Sequence, residues 1–522
     1  MRTEPVPTAT SPRPGGPGRR GRGALAGLLA CGAALGAAEL LAGLIAGQAS
    51  PLLAVGGAAI DATPEWLKEL AIRTFGARDK LVLLAGMAVV LAALAAAVGL
   101  LAVRRPRLGL AGVAACGAVG AAAALSRPGA APLDALPSAA GALAGAAALT
   151  ALVNATRVKT RPGVTMGGVD RRRFLVTGVL VAAGAVAAGA GGRALARRSD
   201  VAASRAAVRI PRPAGAAAPL ADGAAVDLPG LSSFYTPNRD FYRVDTALVV
   251  PRIAAEDWRL RVHGQVRREL DLDFRQLLAR PLIERDITLS CVSNEVGGRY
   301  VGTARWVGVP LRELLEDAGV QPGADQLVSR SADGFTVGTP TASVLDGRDA
   351  MLAVAMNGEP LPLTHGFPVR MLVPGLYGYV SATKWLVDLE LTGFDDFDPY
   401  WVRRGWARQA PVKTMSRIDT PGPLRRLAAG RVAVAGVAWA QHRGIRRVEV
   451  RADGDPWRPA RLAAEHSADT WRQWVWPWDA TPGRQTLEVR ATDGTGATQP
   501  EDRAPPFPDG ATGWHSVVVT VA

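Results

Sequence analysis

Ile287-Thr288-Leu289-Ser290-Cys291-Val292-Ser293-Asn294-Glu295 is the stretch on which the reading of this chain turns. Residues 287–292 read as a strand that ends in a turn of small residues. The strand delivers a single cysteine to that turn. The chain has two other cysteines, Cys31 and Cys116, and both lie in long apolar runs as small apolar residues. Three thiols exclude a disulfide-rich scaffold, an all-cysteine zinc site and an iron–sulfur cluster held by four thiolates of this chain. Cys291 itself admits three readings: a buried small residue, a nucleophile with His365 as its base, or a soft metal ligand. No His, Asp or Glu set at zinc spacing surrounds it. A metal there must bring further ligands as part of a cofactor.

Upstream of this stretch the chain reads as a membrane unit. The 522 residues predict three or so structural units. Hydrophobic residues make up 48% but aromatics only 6%, so the apolar excess is mostly Ala, Val, Leu and Gly, the composition of spans. The net charge of +14 comes partly from clusters flanking apolar runs, which is topology signalling rather than a phosphate-binding face; nucleic acid is not expected as a partner. Runs 24–47, 81–103, 108–126 and 135–156 are each long enough to span, and 174–192 is a weaker fifth. Arg13, Arg19, Arg20 and Arg22 precede the first run. Arg104, Arg105 and Arg107 follow the second, and Arg157, Lys159, Arg161 and Arg171–Arg173 follow the fourth. Basic loops stay in the cytoplasm. This predicts a cytoplasmic tail at 1–23, a five-helix membrane domain at 24–193, and everything beyond on the extracytoplasmic side. Asp170-Arg171-Arg172-Arg173-Phe174-Leu175 resembles a twin-arginine export signal, a route that moves folded proteins. All five histidines lie beyond the last run, which excludes a bis-histidine haem within the spans. Glu39 is the one acid inside a run and a candidate on that ground alone.

Residues 194–229, rich in Ala, Pro and Arg, read as a linker. Asp257–Gly264 alternates like a strand, and Leu270–Leu278 reads as a short helix. Pro310–Gly319 reads as a helix with proline at its first position and glycine at its close. Mixed strands and helices over 230–415 predict an α+β domain. From 416 to 522 the pattern is all-β, with strands at Arg431–Ala440, Val448–Ala452, Gln485–Ala491 and Ser516–Ala522. That predicts an immunoglobulin-like sandwich. The alternating tryptophans of Trp471–Trp478 read as a packed sheet face or an interface rather than a ligand-binding aromatic patch.

Four blocks, in order, resemble the sulfite oxidase family of molybdopterin-dependent oxidoreductases, in its membrane-anchored bacterial form. They are Tyr235-Thr236-Pro237-Asn238-Arg239-Asp240-Phe241-Tyr242-Arg243-Val244, the segment around Cys291, His365–Gly375 with Tyr377-Gly378 and Ser381–Trp385, and Pro411–Thr414 before the sandwich. The resemblance implies a molybdenum–molybdopterin cofactor with Cys291 as the thiolate ligand to the metal. It implies pterin contacts from Asn238, Ser331, His365, Arg370, Thr383 and Lys384, with Tyr242 and Arg243 lining the catalytic side. Independently, Arg370 stands in an apolar run, where a guanidinium requires an anionic partner. One departure concerns the substrate. The family's sulfite enzymes carry arginines just after the cysteine segment, whereas here Glu295 follows Asn294, with Arg299 and Arg305 further on. An acid near the metal disfavours a dianion. The expectation is oxygen-atom transfer on a small sulfite-like or sulfoxide-like molecule, with electrons passed to a separate haem or quinone partner and a homodimer formed through the sandwich. Two rival readings are a non-catalytic binding module tethered to the membrane and a thiol hydrolase using Cys291 with His365.

Overall fold

The computed structural model describes residues 17–45, 50–64, 67, 74, 79–127, 130–156, 167–196, 201–247 and 249–522. The chain divides into two compact units, residues 1–199 with 247–249 and residues 200–246 with 250–522.

In the first unit, five helices are long and apolar enough to cross a membrane: Arg20–Ile45, Val82–Arg104, Pro106–Leu125, Pro132–Thr156 and Arg172–Leu195. They match the five apolar runs of the sequence. Small residues let the helix backbones approach closely: the amide of Gly27 lies 2.6 Å from where a Cβ on Gly99 would sit. Glu39 accepts a hydrogen bond from the Ser50 hydroxyl. The arginines at 13, 157 and 161 and Lys159 fall outside the described residues.

The second unit holds two five-stranded sheets and a β-sandwich. Strand β1 (Arg259–Gly264) lies between β2 (Leu270–Asp273) and β10 (Leu386–Thr392), which continues to β5 (Gln326–Ser331) and β6 (Thr336–Pro340). The β1–β10 pair is parallel, with Arg261 opposite Asp388. In the second sheet β3 (Ile283–Ser290) and β4 (Val301–Pro310) run antiparallel with Ser290 opposite Val301. β4 also pairs with β7 (Met351–Met356), which carries β8 (Glu359–Pro360) and β9 (Arg370–Leu372). Trp258, Trp306, Leu314, Leu352 and Leu389 are fully buried in the shared core.

Three local readings are corrected. Leu270–Leu278 is strand β2 followed by a one-turn helix, Phe274–Leu278, because Asp273 caps it: the Asp273 carboxylate accepts from the Gln276 amide at 2.7 Å. The 311–318 helix has Pro310 as its N-cap rather than its first residue, and Gly319 closes it with φ at +70°. Cys291 and Val292 lie just beyond the end of β3, not within it. The 194–229 segment also departs from the expected linker. From Val201 onward it is packed on the second unit. Val201 and Ala224 are buried, Arg205 donates to the Leu361 carbonyl and Glu359, and Gly215 bridges to Ile283.

The C-terminal sandwich consists of a four-stranded and a five-stranded sheet. β11 (Met415–Thr420), β13 (Gly430–Trp439), β17 (Arg472–Ala480) and β16 (Arg461–Leu462) form the first. β12 (Arg426–Leu427), β19 (His515–Val521), β18 (Gly483–Asp493), β14 (Ile445–Ala452) and β15 (Arg458–Pro459) form the second. Trp474, Val434, Val450, Leu487 and Val519 fill the space between them. Trp474 and Trp478 are buried on the β17 face, as the alternation implied, while Trp471 enters the larger core.

A buried ion cluster ties these layers together. Asp286 on β3 takes two bonds from Arg305, one from the Tyr235 hydroxyl and one from His466 Nε2 at 2.7 Å. Burial alone would raise the Asp286 pKa, but these donors hold it below the usual carboxylate range. Asp286→Asn leaves Arg305 with no carboxylate in the cluster and should cost about 3 kcal/mol. Denaturant titration of the full chain in detergent checks this; an unchanged midpoint would contradict it.

Candidate active site

Cys291 stands at the base of a closed loop. Its amide donates to the Tyr300 carbonyl at 2.9 Å, and its carbonyl accepts from the Asn294 amide at 3.1 Å. Asn294 is buried, and its side-chain oxygen accepts from the Tyr300 amide at 2.8 Å. The β3–β4 hairpin therefore ends in a ten-residue loop pinned at both ends. Burial pushes the Cys291 thiol above its ordinary pKa, opposed by hydrogen bonding to Ser293 and by the charge of Lys384.

The cations come from a second segment. Strand β9 places Arg370 opposite Ala353, and its guanidinium lies over the Trp306 ring at 5.1 Å. Arg370 is 5% exposed, donates to the His365 carbonyl, and has no partner for its Nε. Among the described residues no carboxylate pairs with it. Burial lowers its pKa to about 10, with Tyr242 acting in the opposite direction. Lys384 Nζ pairs with Asp245 at 2.6 Å and sits over Trp385; burial nevertheless brings it down to about 8. Gly366, at φ +107°, makes the close approach of the two cation-bearing segments feasible. A Cβ there would lie 3.0 Å from Lys384 Cα and 3.1 Å from Arg370 Cβ.

The remaining candidates divide into two groups. His365 is buried and its Nε2 donates to the Asn238 carbonyl at 3.1 Å; burial, then Arg370, lowers it to about 4, so it is neutral. Tyr242 stacks on Phe241, and its hydroxyl is pushed far above the ordinary range by burial and then by Cys291. Ser331 presents a buried hydroxyl without a partner. These residues, with Cys291, Arg370 and Lys384, have polar groups to offer a ligand. Asn238 spends its amide on Met356 and Glu359 and accepts from Asn357, so it frames the site. Thr383 is bonded to Ser329. Arg243 is the most exposed member and pairs with Asp245 at 2.8 Å, the carboxylate it shares with Lys384. Arg305, noted in the sequence as lying further on from the cysteine segment, is held by Asp286.

Sequence reasoning missed Asp245, Tyr300 and Tyr377. Asp245 follows two residues after Arg243, a spacing that now explains itself as an ion pair. Tyr377 is buried, and the charge of Cys291 contributes to its raised pKa. It sits in the Tyr377-Gly378 step already quoted, where no role was assigned to it.

Anionic chemistry fits this donor set. A buried guanidinium with an idle Nε, an idle serine hydroxyl and a lysine with reduced pKa together await an anion carrying several acceptors. A molybdenum–pterin cofactor offers that through its phosphate, while Cys291 supplies a soft thiolate. No group of three His, Cys, Asp or Glu able to hold a bare metal occurs among the described residues.

Comparison with known proteins agrees with this class. Residues 247–401 match the family model "Oxidoreductase molybdopterin binding domain". Such a domain implies a molybdopterin cofactor. The chain is 31% identical to sulfite oxidase of Gallus gallus over 324 residues, 52% of this chain and 69% of that protein. It is 29% identical to the mitochondrial sulfite oxidase of Homo sapiens over 56% of this chain and 62% of that one, so it spans somewhat under two thirds of the human relative. Among solved structures, sulfane dehydrogenase SoxCD of Paracoccus pantotrophus aligns with a TM-score of 0.47 at 27% identity, covering 52% of this chain and 75% of that one. By the family match, the second unit contains an oxidoreductase molybdopterin-binding domain. The chain belongs to the sulfite oxidase family.

Two predictions follow from the charges. Arg370→Met should leave the cofactor-free chain as stable as wild type or up to about 2 kcal/mol more so, because it removes a buried charge with no counter-ion. The same change should abolish cofactor retention. A large loss of apo stability would contradict it. His365 and His515 are both held neutral with pKa values near 4, against 6.5 when unfolded. The unfolded chain binds the extra protons between those values. Stability of the apo chain should therefore fall as pH drops from about 6.5 to 4, and His515→Asn should flatten that slope. Melting curves across this range check it; an unchanged slope would count against the assignment.

Proposed function

We propose that this chain is a membrane-anchored molybdopterin oxidoreductase that transfers an oxygen atom to or from a small sulfite-like or sulfoxide-like substrate. The observation that carries the reading is Arg370, a buried cation without a carboxylate in the same cluster as Cys291, Tyr242 and Lys384. When bound, the cofactor supplies two-electron oxygen-atom transfer. Cys291 would hold the metal. Arg370, Lys384 and Ser331 would hold the pterin phosphate, with Thr383 and Asn238 fixing the walls. Neutral His365 adds no charge and keeps Arg370 in place through its carbonyl. Tyr242, kept protonated by burial, would donate a hydrogen bond to a substrate oxygen.

The local charges bear on substrate choice. Arg243 is paired with Asp245, Arg305 with Asp286, and Arg417 with Asp419. Arg305 and Arg417 thus each have a carboxylate, Arg243 shares Asp245 with Lys384, and with Arg370 and Lys384 given to the cofactor little free positive charge is left for a dianionic substrate, which favours a neutral oxygen donor such as a sulfoxide. The raised Cys291 thiol and neutral His365, with no bond between them among the described residues, weigh against the thiol-hydrolase reading.

Basic loops between the spans support an N-terminus inside and an active domain outside the cytoplasmic membrane. Arg172-Arg173-Phe174-Leu175 at the start of the last span supports twin-arginine export. The electrons would leave one at a time to a separate haem or quinone partner, and the sandwich would serve a homodimer.

Molybdenum content by mass spectrometry on the full chain, matured through its own export route and purified in detergent, tests this. About one molybdenum per chain, with oxygen-transfer activity lost in Cys291→Ser, is expected. Absence of both metal and pterin from matured wild type would overturn the enzyme reading and leave the binding-module alternative.

A further inference from the structure

The strand and loop that carry Cys291 are gripped by the C-terminal sandwich from two sides. On the strand side, Thr288 engages three sandwich-domain groups. Its amide donates to the Asp469 carbonyl at 2.9 Å, its hydroxyl accepts from the Trp471 amide at 2.7 Å, and its carbonyl accepts from Gln441 Nε2 at 3.0 Å. Two residues earlier, Asp286 is bonded to His466. At Thr288 the edge of β3 not paired with β4 is thus met by the 469–471 segment.

On the loop side, Arg417 of β11 is buried, and each of its three guanidinium nitrogens makes a hydrogen bond. Nη1 donates to the Gly298 carbonyl at 2.7 Å, Nε to Asp419 at 2.6 Å and Nη2 to Ser232 at 3.0 Å. His515 of β19 presses on the neighbouring residue. A Cβ built on Gly297 would overlap the His515 ring, and Gly297 has φ at +78°. The ring is oriented because its Nδ1 accepts from the Ile418 amide at 3.0 Å. The turn at 297–298 is closed onto Asn294 and Glu295: Gly298 N donates to the Glu295 carbonyl at 2.8 Å, and Asn294 Nα donates to the Cys291 carbonyl. The turn is therefore linked to Cys291 through two successive backbone hydrogen bonds in a short loop.

We infer that the sandwich is part of the frame of the active centre, and that Arg417 and His515 are positioning residues that fix the direction of the Cys291 sulfur through the 291–298 loop. This rests on the reading of Cys291 as the metal ligand. It goes beyond that reading by assigning the C-terminal domain a role inside each chain.

The test uses the full chain in detergent in both cofactor-free and loaded forms. In the cofactor-free form, iodoacetamide reaches the buried thiol only when the loop opens. Arg417→Gln should raise the alkylation rate of Cys291 about tenfold or more, since it removes the charged donor that holds the half-buried Gly298 carbonyl. Arg417→Lys, which keeps one charged donor, should restore much of the protection. Arg443→Gln removes another arginine at the same domain seam, bonded to Asp493 and the Val412 carbonyl but not to the loop. It should leave the rate at the wild-type value. In the loaded form, Arg417→Gln should retain molybdenum but shift or split its Mo(V) paramagnetic resonance signal, with recovery in Arg417→Lys. If Arg417→Gln fails to fold, Gly297→Ala probes the same contact from the loop side, and faster alkylation is again expected. Unchanged alkylation and an unchanged signal in a folded variant, or equal acceleration by Arg417→Gln and Arg443→Gln, would overturn the inference. Wild type without molybdenum would defeat the cofactor reading alone, and the alkylation comparison would still decide whether the sandwich grips the loop.

Discussion

Arg370 is a guanidinium held inside protein with one carbonyl, one aromatic face and, among the described residues, no carboxylate. Removing such a charge from water is costly unless an anion compensates it, so its surroundings have to be built to keep it there. Much of the site follows from that constraint. β9 is pinned to β7, His365 stays neutral and lends its carbonyl, and Gly366 allows the Lys384 segment to come alongside. Lys384 adds a second cation whose own counter-ion, Asp245, is shared with Arg243. The protein has arranged positive charge where it holds little negative charge of its own, beside a buried thiol. That is the electrostatic outline of a site for an anionic group.

The five apolar helices were legible from composition alone, because spanning hydrocarbon constrains length and polarity more tightly than soluble packing does. The helix ending at Gly319 and the strands of the sandwich were legible for a similar reason: each buries one face at a regular period. Short-range competition was not legible. Asp273 converts the end of one expected helix into a cap, and an Ala- and Pro-rich segment that looks like a tether is anchored by Arg205 reaching 156 residues onward to Leu361. No local pattern announces a bond of that span.

The same limit applies at the site. Cys291 and Arg370 could be chosen because their residue types are anomalous for their neighbourhoods, and His365 and Lys384 because the segment they share resembles the family's. Arg305 could not be set aside, because its partner Asp286 lies on the facing strand and only the β3–β4 register brings them together. Asn238 could be chosen as polar, but not seen to face Glu359 and Asn357 rather than a ligand. The contact of the sandwich with the cysteine loop was invisible for the same reason: Arg417 and Gly298 are 119 residues apart, and nothing in either segment names the other.

X-ray absorption at the molybdenum edge, on the full chain and on Cys291→Ser, tests the central claim most directly. The account predicts that the metal in wild type has one more sulfur neighbour than in the variant, lost with the thiolate that the β3 turn delivers. An identical sulfur shell in both proteins would show that Cys291 is not a ligand and would contradict the account of the site.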